Sequence, residues 1–188
     1  MSADICLRIG HVSTEGGPLL VADRDDVLGW SGATGPNDDY GRACELLDRV
    51  PNGAGGTMPL GAGTGLVWDM PTGTADVWRR GADTIVISRP WVDDDENVAS
   101  YLAALPPKDP IPLGELSVRS GWIVVLWAAA SGKDIARVPP ANGRSLGLSV
   151  GDDALMASLA VGRYHCYHDE VADGRGSARR CWLVPEWA

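Results

Sequence analysis

Near the C-terminal end of the 188-residue chain, His165, Cys166, His168 and Cys181 carry side chains that bind zinc or activate a nucleophile. The stretches that hold them, 159–168 and 179–184, flank Asp173-Gly174, a favoured pair for a tight hairpin turn. If those two residues form the turn, Cys166 faces Cys181 and His168 faces Arg179. Side chains alternate across a strand, so His165 points away from Cys166 and His168 and the ligand set is incomplete. Paired C-x-x-C spacing is also absent. We therefore expect two thiols buried side by side, two ordinary histidines and no metal. A Cys166 to Cys181 disulfide stays open at this point.

A cysteine hydrolase needs a thiol, a base and an orienting group that meet in space, and Cys44 with His11 or His168 is the choice on offer. Spacing does not select it, because Cys44 falls on an apolar helix face where a small buried thiol is expected. Gly53-Ala54-Gly55-Gly56 and Gly61-Ala62-Gly63-Thr64-Gly65 lack the lysine of a phosphate-binding loop and read as flexible loops. The acidic groups Asp93-Asp94-Asp95-Glu96 and Asp23, Asp25, Asp26 do not have calcium-loop spacing. The first group suits the opening turn of a helix, where carboxylates complement the macrodipole, and a partner-facing acidic patch is compatible with that role.

The elements that position these residues are mostly strands. Ile5 to Val12 reads as a strand, Glu15-Gly16-Gly17-Pro18 as a turn and Leu19-Leu20-Val21 as a second strand, so a hairpin is expected at the start. Asp23 caps a short helix through Leu28, and Asn37 or Asp38 caps a longer one whose apolar face is Tyr40, Ala43, Cys44 and Leu47. Residues 51–65 read as loop with short extended pieces such as Met58-Pro59-Leu60. Strands follow at Leu66-Val67-Trp68, Val77-Trp78 and 84–88, then a helix from the acidic group to about Leu105. The prolines in 106–112 mark the best candidate boundary within what we read as one domain, with an α+β part over 1–105 and a mainly β part over 113–188. Beyond it, 116–118, the apolar run 122–130 and 146–150 read as strands before the terminal hairpin. The fold class is α+β, mainly antiparallel sheet with two or three helices.

Composition narrows the function. A net charge of −9 disfavours nucleic acid and anionic membrane as partners and favours a basic protein. The opening residues carry no export signature and the longest apolar run is too short to span a bilayer, so a cytoplasmic protein with four reduced thiols is expected. Of the eight tryptophans, Trp91 and Trp187 are the expected exposed ones.

Gly16-Gly17-Pro18-Leu19-Leu20, Trp30-Ser31-Gly32 and Asp39-Tyr40-Gly41-Arg42-Ala43-Cys44 occur in this order at close spacing. Over about residues 10–105 the chain resembles the Immunity protein 21 family of bacterial polymorphic toxin systems, marked by WxG and YxxxC motifs. These fall on Trp30 to Gly32 and Tyr40 to Cys44, and Trp30, Gly32, Tyr40 and Cys44 read as scaffold. The resemblance implies an α+β immunity protein that neutralises a cognate toxin by binding it, without catalysis or cofactor. A basic toxin such as a nuclease would suit the acidic charge. On charge and exposure, Asp38, Asp39, Trp91, Asp93, Asp94, Asp95 and Glu96 are the candidate toxin contacts. A Cys/His hydrolase or metal-dependent enzyme is the competing reading, and a general protein-binding scaffold the third.

Overall fold

The computed structural model describes residues 6–34, 38–51, 53–92, 96–135 and 146–187. Its strands are β1 (Cys6–Thr14), β2 (Leu19–Asp23), β3 (Gly55–Leu60), β4 (Gly63–Trp68), β5 (Gly73–Arg80), β6 (Thr84–Trp91), β7 (Ile111–Val118), β8 (Trp122–Trp127), β9 (Gly147–Ser149), β10 (Ala154–Ser158), β11 (Gly162–Asp173) and β12 (Gly176–Pro185). The helices are α1 (Arg24–Val27), α2 (Asp39–Arg49) and α3 (Glu96–Ala104).

Two antiparallel six-stranded sheets, β1-β5-β6-β12-β11-β7 and β3-β4-β2-β8-β10-β9, pack face to face. Leu19, Val21, Leu66, Trp68, Ile123 and Val125 from the second sheet meet Val77, Ile85, Ile87, Cys181 and Leu183 from the first. The outer face of the second sheet is covered near α1 and α2, where Leu20, Val124 and Leu126 pack with Val27, Trp30 and Ala43. On the outer face of the first sheet, α3 lays Ala99 and Ala103 against Trp78, Val86 and Trp182. The strands β2 and β8 are thus buried on both faces, which is why they read as unbroken apolar runs rather than alternating ones.

Several expectations require correction. The opening strands do not form a hairpin: β1 pairs with β5 in one sheet, whereas β2 pairs with β4 and β8 in the other. The turn between them, with φ of 127° at Gly16 and 95° at Gly17, carries the chain across the sandwich. Residues 55–65, expected as loop, join the expected strand at 66–68 to form the β3–β4 hairpin. Its glycines are required by close approach: Val67 O stands against Gly55, and Leu20 and Leu60 stand against Gly65. β10, missed in the sequence, lies between β8 and β9. Finally, each sheet draws strands from both sides of 106–112, within one interleaved unit: 106–110 connect α3 to β7, and Ile111 and Pro112 already pair with β11.

The terminal hairpin is present, but its register differs by two residues from the expected one: Cys166 pairs with Leu183 and His168 with Cys181. Gly174 and Arg175 are the turn residues, and neither has positive φ. The carboxylate of Asp173 accepts the Arg175 N–H at 2.8 Å, so a side-chain-capped turn one residue further along replaces the expected mirror-image turn.

Candidate functional site

The shifted register places Cys166 and Cys181 on the inner face as diagonal neighbours, both free thiols within the interlayer core. Burial pushes the Cys166 thiol up to about 12, with the Glu115 carboxylate adding to the effect, and raises Cys181 well above its ordinary value. Neither is a thiolate near neutral pH. His165 points outward beside Glu115, opposite in face to His168, as the strand alternation requires. Among the described residues, no His, Cys, Asp and Glu side chains group so as to hold a metal ion.

His168 is 3 % exposed and sits where β11 meets the second sheet. The Trp68 indole N–H donates to its Nδ1 at 3.2 Å, and the Arg180 carbonyl lies 3.1 Å from the same nitrogen. Burial, followed by the charge of Arg179, lowers the His168 pKa and favours the neutral ring. Beside it, Lys108, Asp109, Glu170 and Arg179 line a cleft of about 400 Å³. Arg179 is already held there by Asp69 at 3.2 Å and Glu170 at 3.1 Å.

Beneath this cleft is a network that sequence reasoning missed. Arg180 forms a buried ion pair with Asp169, and its guanidinium also donates to the carbonyls of Leu102, Leu105 and Pro106. Asp169 further accepts from the Trp182 indole and the Lys108 backbone N–H. The pair therefore ties the end of α3 and the proline connector to the terminal hairpin. Alternation in 179–184 puts Arg180 on the Trp182 face, but nothing local indicates that the end of a helix covers that face.

The residues of the two motifs converge. The Trp30 indole donates to Ala128 O at 2.8 Å, and Gly32, at φ 65°, lies so close to the Ala129 and Ala130 carbonyls that a Cβ would collide with them. The Tyr40 N–H reaches Gly32 O, and the Tyr40 hydroxyl fills the space where a side chain on Gly17 would stand. Between the motifs, Asp39 accepts from the backbone N–H and hydroxyl of Ser31 at 2.8 and 2.7 Å, and from Arg42 at 2.9 Å. Burial opposes ionisation of Asp39, yet the Ser31 and Arg42 donors outweigh it and hold its carboxyl below the usual range. Burial raises the Tyr40 pKa, and the half-buried Cys44 thiol one helical turn away adds to the effect.

The candidate contact residues separate. Asp38 is exposed and caps α2 through the Gly41 N–H at 3.1 Å. Asp39 is 3 % exposed and its carboxylate is engaged as above, which removes it from a contact surface. Trp91 is 43 % exposed at the end of β6, with the Arg89 guanidinium 5.3 Å from its ring centroid, and Trp187 is 53 % exposed. Asp93, Asp94 and Asp95 lie outside the described residues, and Glu96 begins α3.

Fold and site together define a helix-flanked antiparallel β-sandwich whose thiols in the terminal hairpin and motif residues are built into its framework. No family model, curated protein or solved structure matches the chain. No helix among the described residues is long and apolar enough to cross a membrane.

Proposed function

We propose that the protein is an immunity protein of a bacterial polymorphic toxin system, acting in the cytoplasm by binding its toxin. One observation carries the reading: Gly17, Trp30, Gly32, Tyr40 and Cys44, the residues of the family-like motifs, form a single interlocked cluster though they come from three segments of chain. A signature built this way is scaffold and leaves toxin recognition to other parts of the surface. The net charge of −9 favours a basic toxin, whose encounter rate would rise by electrostatic steering and fall with salt. Burial of Cys166, Cys181 and His168 disfavours the competing enzymatic reading. The test is co-expression with the product of the adjacent gene in a host whose growth that product alone arrests. Restored growth with a complex that co-purifies supports the proposal; growth arrest that persists beside soluble protein counts against it.

A further inference from the structure

At the end of the sandwich beside the Gly16-Gly17 turn, Ser13, Thr14, Glu15, Trp127, Asp152 and Asp153 line a cavity of about 410 Å³. The three acidic residues are fixed by their main chains. Glu15 O accepts from the Thr72 hydroxyl at 3.2 Å, Asp152 O from the Ser13 N–H at 2.7 Å and Asp153 O from the Trp127 N–H at 2.8 Å. Their carboxylates, by contrast, have no ion pair or hydrogen bond among the described residues. This sets them apart from Asp25, Glu45, Asp69, Asp173 and Glu186, each of which lies beside an arginine.

A second observation points to a ligand at the same place. Thr14 is 6 % exposed and its hydroxyl has no hydrogen-bond partner, which is costly for a buried polar group. It shares the inner face of β1 with Val12, and Trp127 shares the inner face of β8 with Ile123 and Val125. Both side chains are therefore directed into the gap between the layers that opens as this cavity. The Trp127 indole is locked by its own N–H donation to Gly16 O at 2.9 Å, leaving the ring as a fixed wall.

We propose that this cavity is a socket for an arginine side chain of the bound toxin. Carboxylates in the lining attract the guanidinium, the Trp127 ring offers a cation–π surface, and the enclosed Thr14 hydroxyl beside them lacks the partner that a guanidinium N–H would supply. The inference rests on the immunity reading for the identity of the partner, whereas the chemistry of the socket stands separately.

The test uses the full chain and N-acetyl-arginine amide as probe, followed by NMR. The expected result is a set of saturable shifts centred on the Trp127 indole N–H and the amides of Glu15, Asp152 and Asp153. Affinity should fall about fivefold for each carboxylate removed, in Asp152→Asn and Asp153→Asn, and weaken in high salt. The uncharged citrulline counterpart should leave these signals unmoved. Equal shifts with citrulline, shifts unaffected in the double variant, or displacement of the probe by micromolar calcium would overturn the socket. Because no toxin is present, a failure here is distinct from failure of growth rescue, which would overturn the immunity reading alone.

Discussion

Asp169 and Arg180 face each other across the terminal hairpin and form an ion pair in which both side chains are fully buried. Removing one partner leaves a charge in the interior without compensation, and that cost exceeds what the pair itself contributes. Arg180→Met should therefore lower unfolding free energy by about 3–5 kcal/mol in urea. Asp169→Leu combined with Arg180→Met should recover part of that loss. An Arg180→Met protein as stable as the parent would show that the pair does not hold α3 to the hairpin.

His168 should make stability depend on pH in a known direction. Its folded pKa lies below the unfolded value of about 6.5, so the unfolded chain takes up the proton first as pH falls. Its contribution is complete above about 6.5 and is lost as pH falls from there toward the folded pKa. Urea midpoints measured at neutral and mildly acidic pH should separate for the parent and converge for His168→Gln. An unchanged separation in the variant assigns the dependence to other groups.

The motif cluster predicts unequal tolerance of two nearby glycines. Gly32→Ala must place a Cβ against two carbonyl oxygens at φ 65°, and should cost about 1–3 kcal/mol or more. Gly29→Ala has open space around the new methyl and should change the melting temperature little. Equal effects at both positions would refute the packing described for Trp30-Ser31-Gly32.

Thiol labelling separates the framework reading from an enzymatic one. In the native protein near pH 8, Cys166 and Cys181 should react with a disulfide reagent only as fast as the sandwich opens, and reaction should become rapid in denaturant. Rapid native labelling of Cys166 would mean an accessible thiolate and would revive the hydrolase reading.

Much of the fold is legible because local signals agree with it. Asp23 and Asp38 cap the helices that their positions suggest, and Pro106 follows the end of α3. The errors share a cause: they lie where distant packing decides. Glycines at 55, 56 and 65 look like loop punctuation, but they are small because β4, α2 and β2 crowd them. The opening turn reads as a hairpin since nothing local reveals that its strands belong to different layers. At the surface, Asp38 and Asp39 are indistinguishable in sequence, yet one caps a helix in solvent and the other anchors Ser31 in the interior. The socket at Thr14 and Trp127 joins positions more than a hundred residues apart, which no local pattern encodes.

The central claim, neutralisation by binding, is tested most directly by stoichiometry. Purified protein is titrated into a fixed amount of the adjacent gene's product, and residual toxin activity is followed. Binding requires a linear loss of activity that ends at molar equivalence and a complex of matching composition. Complete inactivation at a small fraction of an equivalent would reveal turnover, and undiminished activity at excess would exclude this toxin as the partner; either result contradicts the account.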